Sequence, residues 1–263
     1  MRGRVLIVAG SDSGGGAGLQ ADIKTITVLG GFAMTAVTAL TAQNTHGVAG
    51  IYEVPADFVG QQMRLVLEDI GADAVKVGML HNMSVIKSVA EALDSFASNI
   101  PLVVDPVMVA KGGASLLEED AISALQQYLI PRASLITPNI PEAQQLCGLK
   151  NEPVSDSIKI VQALKNIGSK ATLLTGGHAE GDYISDYFID SDGAVKIFKN
   201  RRIQTKNTHG TGCTTSSAVA VGLAQGLEMK DAIRRALKYV HKAIQTAPNY
   251  GSGHGPINHG HPL

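Results

Sequence analysis

Short apolar runs that end near glycine or acidic residues recur along most of this sequence and constrain its fold more than any other feature. They are RVLIVA (4–9), FAMTAVTAL (32–40), AVKVGML (74–80), LVVDPVM (102–108), SLIT (134–137) and KATLLTGG (170–177). Continuous apolar runs of this length are typical of strands that are buried on both faces of a sheet. Helix-like segments lie between them. This alternation predicts an α/β protein, a three-layer α/β/α sandwich with a mainly parallel sheet.

The segments between these strands show the apolar spacing of helices. We expect helices at about 19–29, 55–69, 82–97, 117–128, 140–148, 155–167 and 218–227, and a last one with Ile233, Leu237, Val240 and Ile244 on its core face. Residues 183–203, with Ser-Asp-Gly at 191–193, indicate a β-hairpin. We find no linker or repeat that divides the chain, so we predict one domain over residues 1–263.

Charge and composition exclude several classes of function. The 263 residues carry 22 Lys and Arg against 23 Asp and Glu, a formal net charge of −1, which gives no reason to expect a nucleic-acid partner. No apolar run has the length of a membrane span or of a signal peptide, so we expect no membrane partner and a cytoplasmic protein. Cys147 and Cys213 are too few and too far apart for a disulfide framework. The tail with His254, His259 and His261 is expected to be a polar terminus rather than a metal site.

The stretch KNTHGTGCTTSS at 206–217 predicts an anion site. Gly210 and Gly212 permit close approach of the backbone, and the helix that follows would aim its amides and its positive dipole end into the same loop. Cys213 would lie at that helix N-terminus, where we expect its pKa to be lowered so that the thiolate can accept a proton. The alternative is an ordinary glycine-rich turn with an inert cysteine.

Two further segments point to the same edge of the sheet. The loop GSDSGGGAG at 10–18 follows the first strand but lacks the Lys-Ser/Thr ending of a P-loop. Asp12 in this loop and Asp22 beyond it are candidate ligand-binding residues. The alternative is that Asp12 is a turn residue and Asp22 a solvent-facing helix residue. Gln43 and Asn44 end the second strand. A glutamine amide suits the edge of an aminopyrimidine ring, although an ordinary turn is the alternative.

Acidic residues near two strand ends suggest a divalent cation. Asp105 ends the fourth strand, where a carboxylate is costly unless something uses it, and Mg²⁺ is a good candidate. Glu142 is either a helix first-turn acid or a second acid beside Mg²⁺. Lys111 and His209 could contact phosphate; a loop charge and a turn residue are the alternatives.

Seven stretches in order resemble one family: AGSDSGGGAGLQADIK, TALTAQNTHGV, VKVGML, VVDPVM, LITPNIPEA, LLTGGH and KNTHGTGCTTSSA, followed by the tail GHGPINH. They are similar to the hydroxymethylpyrimidine/phosphomethylpyrimidine kinases of thiamine biosynthesis, which are ribokinase-like. The resemblance covers nearly the whole chain. It implies transfer of phosphate from ATP, with Mg²⁺, to the hydroxymethyl group of 4-amino-5-hydroxymethyl-2-methylpyrimidine and then to its monophosphate, in a homodimer.

The resemblance also implies roles for individual residues. Gln43 would pair with the aminopyrimidine, in a pocket shaped by Gly10, Asp22, Met79 and Val107. Asp105 and Glu142 would lie near Mg²⁺, with Asn139, Thr175 and Lys111 toward the nucleotide. Gly210, Thr211 and Gly212 would form the anion hole. Cys213 would take the proton of the attacking hydroxyl or, in part, orient that hydroxyl.

Two other functions fit parts of the pattern. Relatives of this family phosphorylate the hydroxymethyl group of vitamin B6, so a pyridoxal kinase or a dual-activity enzyme is the nearest alternative. Gln43-Asn44 favours the aminopyrimidine. A non-catalytic pyrimidine-binding protein is the second alternative, because a fold does not fix a function. The acids together with a proton acceptor argue against it.

Overall fold

A computed structural model of the protein describes residues 2–109, 113, 116–149, 157–177 and 181–261. Its centre is a nine-stranded sheet with the order β3-β2-β1-β4-β5-β6-β7-β8-β9. The strands are β1 (Arg4–Asp12), β2 (Phe32–Gln43), β3 (Val48–Glu53), β4 (Ala74–Val77), β5 (Leu102–Val104), β6 (Leu135–Ile136), β7 (Thr172–Leu174), β8 (Tyr183–Ile189) and β9 (Val195–Arg201).

The six strands from β2 to β7 in the sheet order run parallel, and the edges are antiparallel. Strand β3 pairs antiparallel with β2 at one edge, while β8 and β9 form the predicted hairpin at the other. The mainly parallel sheet is therefore confirmed. The register of β1 on β2 shifts between Ala9 and Ser11, at the end of the sheet where the first glycine-rich loop begins.

Helices cover both faces of the sheet. They are α1 (Gly18–Val28), α2 (Ala56–Asp69), α3 (Met83–Phe96), α4 (Glu119–Ala124), α5 (Ile140–Leu146), α6 (Ser157–Leu164), α7 (Thr211–Ala224) and α8 (Met229–Gln245). Helices α2, α3 and α4 pack with one face of the sheet into a core that includes Leu6 and Val75. Helices α1, α7 and α8 pack on the other face around Ile7 and Val103. The successive residues of β1 thus enter opposite cores, as the continuous apolar run required.

Some predicted elements differ from the observed ones. The strands predicted at 74–80, 102–108 and 170–177 end earlier, because the backbone beyond them turns away to form loops at the edge of the sheet. Strand β3 was not predicted; none of its six residues is buried, and four of them are exposed, so it lacks the apolar run of a buried strand.

The helix predicted at 117–128 is not a continuous α-helix. It begins as α4 and continues as a π-helical turn (Leu125–Leu129) and a 3₁₀ turn (Ile130–Arg132), since Pro131 has no amide hydrogen to extend an α-helix. In the parts of the chain that the structure describes, no helix is long and apolar enough to cross a membrane.

Candidate functional site

A cavity of about 740 Å³ opens at the carboxyl ends of the parallel strands. It brings together most of the residues predicted for the site, which are far apart in the sequence: Gly10, Gln43, Met79, Asp105, Val107, Asn139, Glu142, Thr175, Gly210, Thr211, Gly212 and Cys213. Open parallel sheets bind ligands at this edge. Lys111 lies outside the described residues, and Asp22 does not line the cavity. The roles of all these residues stay predictions.

Gly210 begins helix α7 in a conformation that favours glycine. Its φ is +85°, and a Cβ added there would lie 1.8 Å from the carbonyl oxygen of Gly16. The predicted helix at 218–227 in fact starts at Thr211, one residue after this glycine. The amides of the first turn have no carbonyl partner within the helix, and the positive end of the dipole faces the cavity. This is the geometry of an anion site.

Cys213 lies in that first turn and lines the cavity, but its ionisation differs from the prediction. Burial raises the pKa of the thiol to about 12, Asp22 and Asp105 add to the increase, and Lys76 opposes it. The amide of Gly18 donates a hydrogen bond to the sulfur, which also favours the thiolate. The expectation of a lowered pKa is therefore wrong for the protein without ligands, because loss of hydration outweighs the helix dipole.

Asp22 forms a buried ion pair that the sequence did not predict. Its side chain is completely buried, 2.8 Å from the ammonium of Lys76, whose side chain is also completely buried. The hydroxyl of Ser217 donates a 2.7 Å hydrogen bond to the second carboxylate oxygen. The interpretation as a solvent-facing helix residue is wrong. Asp22 does not line the cavity and instead joins α1, β4 and α7.

Asp105 and Glu142 are buried acids at the other side of Cys213. Burial raises the pKa of Asp105 to about 6, although Lys76 opposes the increase. Burial and the charge of Asp105 raise the pKa of Glu142 to about 8, against the hydrogen bonds that it accepts from Asn139 and Met108. The two carboxylates therefore lack a counter-charge of sufficient strength.

This pair fits a hard divalent cation. Mg²⁺ takes oxygen ligands, commonly one or two carboxylates with waters and substrate phosphates. The described residues hold no group of three or more His, Cys, Asp and Glu side chains that could bind a metal by itself. A cation at Asp105 and Glu142 would accordingly depend on ligands supplied with the nucleotide.

Glu142 is confirmed as a first-turn acid of α5, and a position beside Mg²⁺ stays a prediction. It forms a capping box with Asn139: the Asn139 side chain accepts from the Glu142 amide at 3.0 Å, and Glu142 accepts from the Asn139 amide at 2.9 Å. The same carboxylate is close enough to Asp105 to influence its charge. Glu142 is thus held rigidly by α5 while its remaining acceptor capacity is directed to the cavity.

Gln43 lies at the opposite end of the cavity, next to His209. The Nε2 atoms of the two side chains are 3.4 Å apart, and Thr41 donates to the Gln43 side-chain oxygen at 3.2 Å. His209 is held in turn by Asp12 at 2.9 Å. Gln43 therefore keeps amide donor and acceptor capacity toward the cavity in a defined orientation.

Asp12 organises the first glycine-rich loop. Its carboxylate accepts from the amides of Gly14, Gly16 and Ala17 at 2.8–3.0 Å, so the turn interpretation is confirmed. Burial would raise the pKa of Asp12, but the hydrogen bonds from His209 and the amides outweigh it and hold the pKa below its usual range. Asp12 thereby joins this loop to residues 206–210, which precede helix α7 and are called here the anion loop.

Two buried ionisable residues at the cavity were missed by the sequence reasoning. Lys76 lines it from the middle of an apolar strand, and that position was itself a signal, because a lysine there must have an acidic partner. Asp186 also lines the cavity and accepts from the amide of Gly176 at 2.9 Å; burial raises its pKa to about 6. No sequence signal distinguished Asp186 from a surface residue of the hairpin.

The sandwich, the cavity at its carboxyl edge and the anion loop at the start of α7 define a ribokinase-like kinase. The chain belongs to the phosphomethylpyrimidine kinase family, whose family model matches residues 12–258. It is 44% identical to the hydroxymethylpyrimidine/phosphomethylpyrimidine kinase of Bacillus subtilis, over 97% of this chain and 94% of that protein. It is 49% identical to the thiamine biosynthesis bifunctional protein ThiED of Geobacter sulfurreducens, of which it spans 52%.

Solved structures agree with this assignment of the fold. The phosphomethylpyrimidine kinase of Clostridium difficile has a TM-score of 0.78 and 38% identity, over 92% of this chain and 99% of that one. The ADP complex of Bacillus subtilis pyridoxal kinase has a TM-score of 0.89 and 33% identity, over 98% of both chains. The enzyme class is thus a phosphotransferase, and relatives of the same fold differ in the acceptor that their names give.

Proposed function

We propose that the protein transfers phosphate from ATP to the hydroxymethyl group of 4-amino-5-hydroxymethyl-2-methylpyrimidine and then phosphorylates the monophosphate, for thiamine biosynthesis. The observation that carries the proposal is the arrangement in one cavity of the Gln43 amide, Cys213 and the anion loop. An amide at one end can fix an aminopyrimidine while the reacting hydroxyl points toward the loop. The names of relatives at 39% and 44% identity, hydroxymethylpyrimidine/phosphomethylpyrimidine kinases, support the same acceptor.

The anion loop would stabilise the charge that develops on the transferred phosphoryl group. Phosphoryl transfer depends mainly on positioning and electrostatic stabilisation. The first turn of α7 begins at Gly210, whose backbone packs so closely against Gly16 that a side chain has no space there. This contact holds the amides of the first turn in place. Preorganised donors of this kind are effective because they need not reorient during the reaction.

Asp105 and Glu142 would hold Mg²⁺ on the nucleotide side. When bound, the ion would supply positive charge that offsets the charge of the phosphates. Ser216 and Thr137 hold the Asp105 carboxylate through hydroxyl donors at 3.3 and 3.5 Å, and Asn139 holds Glu142. These contacts orient both carboxylates without neutralising them.

Cys213 would accept the proton of the substrate hydroxyl. Lys76 and the amide of Gly18 favour its thiolate, whereas burial and the charges of Asp22 and Asp105 oppose it. Neutralisation of Asp105 by a divalent cation would remove one of the opposing charges. Loss of the Asp105 charge would therefore favour proton acceptance by the Cys213 thiol.

A second candidate acceptor is pyridoxal. Pyridoxal kinases of Bacillus subtilis and Staphylococcus aureus match the fold with TM-scores of 0.88–0.89, above that of the Clostridium difficile phosphomethylpyrimidine kinase. Their identities of 32–33% are lower than its 38%. Gln43 beside His209 provides an amide for an aminopyrimidine edge, which favours the pyrimidine as the main acceptor.

The test is ADP production from ATP with hydroxymethylpyrimidine, its monophosphate and pyridoxal offered in parallel, with and without Mg²⁺. We expect Mg²⁺-dependent turnover of both pyrimidines and little with pyridoxal. Turnover mainly of pyridoxal would show that the acceptor is pyridoxal and not the pyrimidine, while the proposed phosphoryl transfer would stand. Absence of turnover with all three would favour a non-catalytic binding protein.

We further propose a cytoplasmic homodimer. Both cysteines are free thiols, which suits a reducing compartment. Leu40 and Tyr52 are cross-strand partners on β2 and β3, and their side chains are 48% and 72% exposed. An exposed apolar pair on an edge hairpin is a candidate interface. Light scattering of the parent and of Leu40→Glu would test it, and a monomeric parent would contradict it.

A further inference from the structure

The C-terminal segment 249–259, called here the C-terminal strap, is not the free polar tail that the sequence predicted. It first lies along the loop 44–47 that follows Gln43. The amide of His254 donates to the carbonyl of Thr45 at 2.8 Å, and the amide of Gly253 donates to the Thr45 hydroxyl at 3.3 Å. The side chains of His46 and Ser252 are 2.8 Å apart and hydrogen-bonded. The strap is therefore attached to the loop at the pyrimidine end of the cavity.

The same segment is also attached to the anion loop, residues 206–210. The amide of His209 donates to the carbonyl of Gly255 at 3.1 Å, and the ammonium of Lys206 donates to the carbonyl of Ser252 at 3.0 Å. The side chains of Asn207 and Asn249 form a further hydrogen bond. One short stretch of chain thus holds two loops that are about 160 residues apart in the sequence.

The end of the strap contacts the helix that carries Cys213. His259 is buried, and its Nε2 is 3.0 Å from the hydroxyl of Thr214, the residue after Cys213. The hydroxyl of Tyr239 donates to the His259 carbonyl at 2.6 Å, which fixes this end against α8. Burial lowers the pKa of His259 to about 4, so the imidazole stays neutral.

Three glycines allow the strap to lie in backbone contact with both loops. A Cβ added to Gly253 would be 2.1 Å from the carbonyl oxygen of Thr45, and one added to Gly255 would be 2.1 Å from the side-chain oxygen of Asn207. Gly251 has φ +77° and equally little space beside Thr45. A side chain at these positions would push the strap and a loop apart.

We propose that the C-terminal strap is a positioning element of the active site, which fixes the distance between Gln43 and the anion loop by clamping loops 44–47 and 206–210 to each other. The proposal rests on the proposed function in one respect, the binding of the pyrimidine at Gln43 and of phosphate at the anion loop. Misplacement of about 1 Å can reduce turnover about 100-fold. The strap would therefore act on catalysis through the positions of the two loops, and its His254 also lines the cavity.

The test compares Gly253→Ala with Gly260→Ala in the full-length protein. Gly260 lies just beyond the strap, where an added Cβ would find its nearest neighbour at an ordinary 3.7 Å. Both variants make the same chemical change, and only Gly253→Ala should displace the strap from Thr45. Amide hydrogen exchange is measured over both loops, and kcat and KM are measured for the pyrimidine and for ATP.

For Gly253→Ala we expect faster exchange in both loops and a reduction of about tenfold to 100-fold in kcat/KM for the pyrimidine, with KM for ATP within about twofold of the parent. Gly260→Ala should match the parent. Parent-like exchange, or faster exchange with unchanged kinetics, would overturn the proposal.

The exchange measurement needs no substrate. A parent without pyrimidine turnover would therefore refute the proposed function, while exchange in the two loops would still decide whether the strap clamps them. Unchanged exchange in either loop of Gly253→Ala would refute the clamp.

Discussion

Asp22 on helix α1 and the two acids that line the cavity, Asp105 and Glu142, are all buried, but they differ in what neutralises their charge. The Asp22 carboxylate lies 2.8 Å from the ammonium of Lys76. Burial would lower the pKa of Lys76, but the surrounding acids outweigh this effect and raise it, so the ammonium stays charged. Asp105 and Glu142 have only hydroxyl and amide donors, and no ion pair among the described residues. A buried charge with an internal partner serves the fold, whereas one without a partner indicates where an external cation would bind.

Cys213 lies between the two groups and gives the largest expected effect. We expect Cys213→Ala to reduce kcat by about 100-fold to 10 000-fold, the usual range for loss of a general base. Unfolding by urea should be nearly unchanged, because the side chain is small and lies at the cavity wall. Steady-state kinetics with saturating ATP would measure the effect.

Cys213→Ser is the matched control, since serine keeps a hydrogen-bonding group but is a much weaker acid than a thiol and so gives a far less accessible anion. We expect a loss as large as that of the alanine variant. Turnover close to that of the parent would show that residue 213 orients the hydroxyl and does not accept its proton.

Lys76→Met tests the paired acid. It would leave Asp22 buried without its counter-charge, and we expect the free energy of unfolding to fall by about 3–5 kcal/mol. The double variant Lys76→Met/Asp22→Leu should recover most of this loss, because it removes the unpaired charge. Urea denaturation of the three proteins gives the comparison. Equal stability of Lys76→Met and the parent would contradict a structural role for the pair.

Asp105→Asn tests the unpaired acids. We expect kcat to fall by about 100-fold because charge stabilisation on the nucleotide side is lost. Stability should stay equal or increase, since the substitution removes a buried charge that faces Glu142. Asp105→Asn should thus lower turnover and leave stability intact, whereas the expected effect of Lys76→Met is a loss of stability. A strongly destabilised Asp105→Asn would show that the two groups do not differ in the way described.

The pH dependence of stability tests Glu142, the second of the unpaired acids. The pKa of Glu142 is raised from 4.5 to about 8, so the folded state binds its proton more tightly than the unfolded state does. The resulting stabilisation is complete below about pH 4.5 and is lost as the pH rises through about 8.

Glu142→Gln should flatten this decline, and Mg²⁺ should restore stability to the parent at the alkaline end if the ion binds there. Thermal unfolding of both proteins across this range, with Mg²⁺ or with a chelator, provides the measurement. If the unfolding temperature depends on pH in the same way in both proteins, Glu142 is not the group responsible for the decline in stability.

The sequence by itself determined the layers and the edge of the sheet that carries the site. Apolar runs such as residues 4–9 specify buried strands, and helical spacing specifies what packs on them. Glycine and acidic residues at the ends of those strands therefore had to meet at one edge, which places Asp105, Gly210 and Gln43 around one cavity.

Only the tertiary structure decided the charges and the course of the tail. The pKa of Cys213 depends on burial and on Lys76, Asp22 and Asp105, which local sequence does not bring together. Asp22 and Lys76 are 54 positions apart, and Thr214 and His259 are 45 apart. Electrostatic and hydrogen-bond energies depend on distance and desolvation in space, and neither is encoded in a local pattern of residues.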